Sequence, residues 1–337
     1  MVSETSAIGD SQDVENDVAI VRNQLIDVRA ALNQVLLGQE EVVDHLIIGI
    51  IAGGHVLLEG TPGLGKTLVI KALAKVLGLD SQRIQFTPDL MPSDILGGER
   101  LREAQGQVRT VFEKGPIFTE LLFADEINRA NPRTQAALLE AMGERQVTLS
   151  GESEVLPETF FVCASQNPVD MQGTYMLPEA QMDRFMMRIH VSRPDAKVLT
   201  RIITGNAAVS LNELEQIGSR RAVLTWRNLA RQVLVSSAVL QNIVDLVEQS
   251  WVICQSSEGR RGESSAGSGV SPRAAQDLFR ACQARALMAG RLSVTQADVI
   301  ALAPNVMAHR ILLPLHLRAK GQSASATIDE LTKQAVR

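Results

Sequence analysis

The chain has 337 residues, of which 45% are hydrophobic and 21% are charged, and its formal net charge is −5. This length favours two domains of unequal size. Aromatic residues make up only 3%, so the core must consist mainly of aliphatic side chains. The negative net charge gives no overall attraction to a nucleic acid, and few aromatic residues are present for base stacking. Nucleic acid is therefore not an expected partner.

The terminal and apolar segments indicate the compartment. Residues 1–17 are polar and acidic and lack the basic start and apolar stretch of a secretory signal, so we expect a disordered tail in a cytoplasmic protein. The most apolar run, 46–58, is interrupted by glycines and is too short to cross a bilayer, so membrane insertion is not expected. Cys163, Cys254 and Cys282 are far apart, which favours buried free thiols over disulfides or a zinc site.

The first half of the chain alternates between helical and strand patterns. Apolar residues at helical spacing predict two helices within 18–52, and a strand follows at 55–59. A helix at 66–77 and a strand at 83–86 come next, which completes a unit of strand, loop, helix and strand. The segment 87–115 is rich in proline, glycine and charge, and we interpret it as an inserted loop plus a hairpin.

The pattern then continues to a domain boundary. A short apolar strand at 121–123 precedes a helix at about 134–142, a second hairpin at 146–157 and a buried strand at 160–164. Around 193–195 the pattern changes to helices alone, which marks the boundary.

The second half contains one polar loop and a capped helix. Residues 256–269 are dense in serine, glycine and charge, and we expect a mobile loop that hydrolysis does not need. Ser271 and Pro272 predict a helix start, with the serine as N-cap and the proline in the first position. Residues 321–337 carry few large apolar groups, so a frayed C-terminal tail is expected.

The strongest chemical signal is the string GTPGLGKT, which matches the phosphate-binding loop pattern in full between an apolar strand and a helix. Its glycines let successive backbone amides face a triphosphate, and the following helix adds its positive dipole end. Lys66 is predicted to reach the β- and γ-phosphates, and the Thr67 hydroxyl to bind Mg²⁺. The predicted nucleotide contacts are Gly60, Thr61, Pro62, Gly63, Leu64, Gly65, Lys66 and Thr67.

A second motif, LLFADE, ends an apolar strand in two acidic residues. We expect Asp125 to hold Mg²⁺ through its coordinated water, and Glu126 to act as general base on the attacking water. Taken alone, this pattern also fits any buried strand that ends in two acids. The complete phosphate-binding loop upstream favours the catalytic interpretation.

A polar residue follows another buried strand in the string CASQNP. The amide of Asn167 is placed to orient a water molecule near the γ-phosphate, although asparagine before proline is also a common turn residue.

The strings ADEINRANPRTQAALLEAM, QNPVDMQGTYMLPEAQMDRF and GVSPRA closely resemble signature stretches of MoxR proteins, a family of AAA+ ATPases. The resemblance is colinear over about 35–310. It implies an α/β P-loop NTPase domain with a parallel sheet at 18–193, a C-terminal helical lid domain at 194–320, and the nucleotide in the cleft between them. The segment 87–115 is then the helix-2 insert and 146–157 the pre-sensor-1 hairpin, both facing the pore of a ring.

The resemblance also implies roles for single residues. Asn167 is the expected sensor-1 residue, Arg184 the arginine finger given to a neighbouring subunit, and Arg273 the sensor-2 arginine. Gln39 lies where related proteins contact adenine, but an ordinary helix-start residue fits there equally well. If the family resemblance is set aside, the position of Arg184 after Asp183 favours an ion-paired surface residue. A cation in the first helical turn, as at Arg273, is unfavourable unless an anion lies opposite.

The expected function is Mg²⁺-dependent ATP hydrolysis that remodels, matures or activates protein clients. The resemblance implies a ring oligomer, most often a hexamer, and a partner with a von Willebrand factor A domain. Two alternatives stay open, a nucleic-acid motor of the related helicase clade and a nucleotide switch that does not hydrolyse. The charge and composition argue against the first, and the presence of Glu126 and Arg184 argues against the second.

Overall fold

The computed structural model describes residues 5–104, 107–149, 152–168, 174–204, 209–255 and 267–335. The loop predicted at 256–269 lies, apart from its last three residues, outside the described residues. The strands in the described part are β1 Val56–Glu59, β2 Ser81–Gln85, β3 Gly97–Ala104, β4 Gln107–Lys114, β5 Leu121–Asp125, β6 Gln146–Leu149, β7 Glu152–Val155, β8 Phe161–Gln166 and β9 Met187–His190.

Helices fill most of the remaining described chain. In order they are α1 Thr5–Val35, α2 Glu40–Ala52, α3 Lys66–Leu77, α4 Pro92–Leu96, α5 Pro132–Glu144, α6 Glu179–Met182, α7 Ala196–Ile203, α8 Arg220–Gln232, α9 Ser237–Gln255, α10 Pro272–Met288, α11 Gln296–Met307, α12 Leu315–Ala319 and α13 Ala324–Ala335. Among the residues described after 193, only isolated bridges, Leu234 with Ser293 and Ser268 with Leu312, have strand pairing.

Five parallel strands form the central sheet in the order β2-β5-β8-β1-β9. Successive side chains of a strand point to opposite faces, so each buried strand contributes to two cores. In β5, Leu121 and Phe123 join the core that contains α1, α2 and α3, whereas Leu122 and Ala124 join the core under α5. The continuous apolar strand sequences are explained by this burial on both faces.

Local sequence explains where the central helices begin and end. Helix α5 has Asn131 as N-cap, whose side chain accepts from the Thr134 N–H at 3.1 Å, and Pro132 occupies the first helical position. Helix α3 ends at Gly78, whose φ of 60° is left-handed and allows two capping bonds to the last turn.

Two antiparallel hairpins extend from the sheet domain, as predicted. Strands β3 and β4 form one, preceded by the short helix α4, and β6 and β7 form the other. An ion pair between Lys114 and Glu154, 2.8 Å long, connects the two hairpins. The Lys114 ammonium also lies 4.9 Å from the ring centre of Phe118. The hairpins are therefore in direct contact with each other.

The helical part after 193 shares a continuous core with the sheet domain. Helix α10 packs against α2, α8, α9 and α11, and also against α1. Trp226 of α8 is buried and donates from its indole N–H to Gln24 of α1 at 3.0 Å. The boundary predicted at 193 is thus a change in element type rather than a gap in the apolar core.

The prediction of a disordered N-terminal tail at 1–17 is wrong for the described part of that range. Helix α1 begins at Thr5 and continues without interruption to Val35. Val18 is 3% exposed and Val14 packs beside it against the core, which fixes this turn of the helix. Once one turn is fixed, each further residue adds a backbone hydrogen bond at low entropic cost.

The prediction of a frayed tail at 321–337 is also wrong for the described residues. Helix α13 packs against α9 and α11 and buries Ile328 and Leu331 at 0% and 4% exposure. Ile328 and Leu331 are three positions apart along the helix, so their side chains lie on one helix face. A few large apolar residues suffice because they all face the core. No described helix has the length and apolar character needed to span a bilayer.

The packing of α13 can be tested by truncating its central side chain. Ile328→Ala should lower the free energy of unfolding by about 2–5 kcal/mol, because it removes buried methylenes and leaves a cavity. Urea unfolding followed by circular dichroism measures the change. The matched control is Gln334→Ala on the exposed side of the same helix, expected within about 0.5 kcal/mol of the unmodified chain. Equal stabilities for the two variants would show that α13 does not contribute to the core.

Candidate active site

The carboxyl ends of three neighbouring strands bring the sequence-predicted residues together. In the parallel register Glu59 at the end of β1 pairs with Gln166 of β8, and Asp125 at the end of β5 pairs with Gln85 of β2. The Gln166 amide donates to the Glu59 carboxylate at 2.9 Å. Ligands of open parallel sheets bind outside this edge, so the edge is the natural place for a site.

The phosphate-binding loop leaves β1 in a tight turn. A Cβ built on Gly60 would lie 2.8 Å from the Val191 carbonyl oxygen, so only glycine fits this crossing. Gly63 and Gly65 have φ angles of 83° and 80°, a left-handed conformation that glycine adopts without strain. A Cβ on either of these two glycines would meet no atom within 4 Å. The loop backbone is thus open towards a ligand.

Lys66, the first residue of α3, lies in this loop with only 9% of its surface exposed. Its ammonium donates to the Gly60 carbonyl at 2.7 Å, which holds the side chain across the loop. Burial lowers the pKa of Lys66, while Asp125 and Glu126 act in the opposite direction. A buried ammonium in a glycine-rich loop suits an anionic ligand, since such a ligand would offset the cost of desolvation.

Asp125 is held from two sides at the end of β5. Its Oδ1 accepts from the hydroxyl of the fully buried Ser165 at 2.5 Å. Its Oδ2 accepts from Arg83 of β2 at 2.7 Å. The carboxylate is therefore fixed in position and paired with a cation. An oriented carboxylate beside the Thr67 hydroxyl is a donor set that fits Mg²⁺, which prefers oxygen ligands.

Glu126 has a strained backbone. Its φ of 57° is left-handed, which costs a non-glycine residue about 1–3 kcal/mol and is typical of functional sites. Its N–H donates to the Ser165 hydroxyl at 2.9 Å, so this one hydroxyl contacts both acidic residues. The Glu126 carboxylate accepts from Gln85 at 2.9 Å and from Arg129 at 3.0 Å.

These groups line a cleft of about 270 Å³. The described residues that line this cleft all precede residue 193. The position of the nucleotide between the two predicted domains stays a prediction. The lining residues are Pro62, Gly63, Gly65, Lys66, Thr67, Leu68, Asp125 and Glu126.

Asn167 and Gln39 lie near the cleft but outside its lining. Asn167 follows β8, and its backbone carbonyl accepts from the side chain of Asn128 at 3.3 Å. Gln39 is 8% exposed and donates to the Ser192 carbonyl at 2.8 Å, which ties the start of α2 to the segment after β9. The remaining loop residues, Thr61 and Leu64, are half-buried.

Arg184 lies at the opposite end of the sheet. The chain enters β9 directly after it, and the Met186 N–H donates to the His55 carbonyl just before β1 at 2.8 Å. The four residues of β1 separate this end from Gly60 by about 13 Å. The Arg184 guanidinium donates to the Leu139 carbonyl of α5 at 2.7 Å. Arg184 therefore lies outside the cleft of its own chain.

Arg273 is exposed in the first turn of α10. The hydroxyl of Ser271, predicted as an N-cap, makes no capping bond and donates instead to Asp183 at 2.9 Å. The pKa of the buried His55 side chain is lowered to about 3, first by desolvation and then by cations that include Arg145 and Arg273. The amino end of the sheet is thus rich in positive charge.

A buried arginine fixes Arg184 relative to the lid. The side chain of Arg310 is 1% exposed and donates to the Asp183 and Phe185 carbonyls at 3.0 and 2.8 Å. It also pairs with Asp277 of α10 at 2.5 Å. The segment around Arg184 is therefore attached to α10 and to the end of α11. We call these contacts the Arg310 clamp.

Sequence reasoning missed four residues that contact the two acids. Asp125 or Glu126 is bonded by each of Ser165, Arg83, Gln85 and Arg129. A serine in an otherwise apolar buried strand is a usable signal for Ser165. The alternation of Arg83 and Gln85 on β2 becomes informative only when the strand order puts β2 beside β5.

Comparisons with known proteins indicate the family to which the chain is related. A model of the ATPase family associated with various cellular activities (AAA) matches residues 55–187, and an AAA lid domain model matches residues 260–331. The chain is 36% identical to Chaperone MoxR1 of Mycobacterium tuberculosis, with 90% of this chain and 79% of that protein covered. It is 36% identical to the Bacillus subtilis protein YeaC, with 89% and 90% covered.

A solved structure is also similar over nearly the whole chain. The crystal structure of a Cytophaga hutchinsonii protein assigned as an ATPase matches with a TM-score of 0.84 and 37% identity, and 96% of this chain and 98% of that chain are covered. The sheet, the glycine-rich loop and the matched lid define an AAA+ ATPase with an α/β domain and a C-terminal helical lid. Within that class, the chain belongs to the MoxR family. The predicted fold class and family are confirmed.

The shared hydroxyl of Ser165 offers a test of the site. Ser165→Ala leaves the Asp125 carboxylate and the Glu126 N–H without this partner, which costs about 1–3 kcal/mol for a buried polar group. We expect ATP turnover to fall roughly tenfold while nucleotide binding is kept, measured by phosphate release and by a fluorescent ATP analogue. The control is Ser237→Ala, an exposed serine of α9. Equal turnover in both variants would show that Ser165 does not contribute to the site.

Proposed function

We propose that the chain hydrolyses ATP with Mg²⁺ in a ring oligomer in which neighbouring subunits share each active site. The observation that carries this proposal is the separation of charges along the sheet. The cleft and its acids lie at the carboxyl end, whereas Arg184 and Arg273 lie at the amino end. A second copy, arranged head to tail, is required to bring these arginines to a cleft.

The cleft residues have separate tasks in binding ATP. The amides of the glycine-rich loop bind the phosphates, and Lys66 exchanges its bond to the Gly60 carbonyl for phosphate oxygens. Thr67 and Asp125 would hold Mg²⁺, which would supply positive charge that neutralises the phosphates. Gln39 is the proposed adenine contact, because it lies beside the segment that leaves β9 next to the loop.

Glu126 is the proposed general base, and Asn167 orients the attacking water. Gln85 and Arg129 both donate to the Glu126 carboxylate and so hold it in position at the edge of the cleft.

The work of the ring is proposed to be the remodelling of protein clients. Support comes from the relative named as a chaperone, and from the contact between Lys114 and Glu154 that connects the two hairpins. We propose a hexameric ring, with the α/β domain at 18–193, the lid at 194–320 and the hairpins towards the pore. A partner with a von Willebrand factor A domain belongs to the same proposal.

Two substitutions separate binding from hydrolysis. Lys66→Ala should abolish ATP binding, and Glu126→Gln should keep binding and lose turnover, because only the second removes the base alone. Isothermal titration and phosphate release measure the two properties. Unchanged turnover in both variants would contradict the site assignment. Glu126→Gln with ATP should also retain client and partner proteins in a pull-down, whereas recovery of nucleic acid would favour a motor.

The sharing of active sites is tested by mixing two inactive variants. Arg184→Ala should lower turnover by about 10³ to 10⁵, the usual effect of an arginine finger in P-loop enzymes. A Lys66→Ala subunit cannot bind ATP but still presents Arg184 to its neighbour. Mixed rings should therefore recover part of the activity, measured by ATPase assay with native mass spectrometry to confirm mixing. Mixed rings without recovery would exclude a finger that acts between subunits.

A further inference from the structure

Helix α7 carries an apolar stripe that the described chain leaves exposed. Leu199, Ile202 and Ile203 are 46%, 50% and 76% exposed, and their spacing puts them on one face. The flank of the same helix carries two cations, Lys197 and Arg201, at a spacing of four residues. An exposed apolar stripe of this kind is typical of a surface that another protein surface covers.

An apolar groove lies between α9 and α10. It has a volume of about 360 Å³ and is lined by Leu240, Ile243, Val244, Ala275, Gln276, Phe279 and Arg280. Leu240 and Val244 are 47% and 39% exposed. The acidic Glu248 continues their stripe one turn further along α9, with Asp245 beside it. The groove thus matches α7 in apolar character and has the opposite charge on its α9 flank.

Each of these two surfaces is fixed to one half of the proposed shared site. Helix α7 follows the segment that touches the phosphate-binding loop, because Gly60 packs against Val191 and Gln39 bonds Ser192. Gln276 and Arg280 of the groove share an exposed helix face with Arg273. The Arg310 clamp then fixes α10 to the segment around Arg184.

We propose that α7 of one subunit docks into the α9/α10 groove of the next copy of the same chain. The proposal rests on the shared active site described above. If the Arg184 and Arg273 face of one copy approaches the cleft of another, the groove of the first meets α7 of the second. The contact is heterologous, so repeated copies close into a ring or extend as a filament. The cations of α7 meet Asp245 and Glu248 across this contact.

Disulfide trapping tests the contact. Ile202→Cys and Val244→Cys are made separately, and the purified variants are mixed with ATP and a mild oxidant. Cys163, Cys254 and Cys282 are buried, and burial raises the pKa of all three thiols, so they contribute little background. The mixture should give a cross-linked pair that contains one of each variant, and neither variant alone should cross-link. Mass spectrometry of the linked peptides identifies the pair.

A charge introduced into the stripe provides an independent measurement. Ile202→Asp with Ile203→Asp should lower ring assembly at least tenfold by native mass spectrometry, while circular dichroism and ATP binding to the single chain stay unchanged. The control is Ile20→Asp, an exposed isoleucine of α1 at 56% exposure, which should assemble normally.

The outcomes separate this proposal from the shared active site. A cross-link of Ile202→Cys with itself overturns head-to-tail docking. Activity recovered in the mixed Lys66→Ala and Arg184→Ala rings, without a cross-link between the two cysteine variants, overturns the α7 contact and leaves the shared site intact. If the chain does not assemble and the mixed variants do not recover ATPase activity, both proposals are wrong.

Discussion

The direction of a parallel sheet is the constraint on which this molecule depends. All five strands run the same way, so every residue that follows a strand lies at one edge and every residue that precedes a strand lies at the other. Asp125 and the glycine-rich loop follow strands, whereas Arg184 precedes one. One chain therefore cannot bring its own arginine to its own acids without breaking the sheet. If Arg184 acts as the proposed finger, the polarity of the sheet requires a second subunit to complete the site.

A single buried hydroxyl organises the acidic edge. Ser165 donates to Asp125 and accepts from the N–H of Glu126, so it fixes two consecutive residues, the second of which has a strained backbone. Because a left-handed glutamate costs free energy, the bonds around it have to maintain the conformation. The edge strand β2 contributes two further donors, Arg83 and Gln85. Side chains that do not themselves line the cleft therefore hold the two acids that do.

Sequence patterns predicted the local elements well because their signals are local. The helix expected at 66–77 is α3, Lys66–Leu77, since a glycine precedes it and another terminates it. The two termini were predicted wrongly, because composition does not reveal that Ile328 or Val14 faces a core built by distant helices. The position of the lid likewise depends on contacts between α10 and α1, which join residues far apart in the chain.

The Arg310 clamp has a mechanical consequence. Arg310 is buried with Asp277 on one side and the carbonyls around Arg184 on the other, and removing one partner of such a buried pair costs about 3–5 kcal/mol. These contacts hold α10 and the Arg184 segment together. In the proposed ring, a change in the position of one subunit's lid would therefore move the arginine that we propose completes the neighbouring site. Hydrolysis in one subunit would then alter the site of the next, and turnover would proceed around the proposed ring in order.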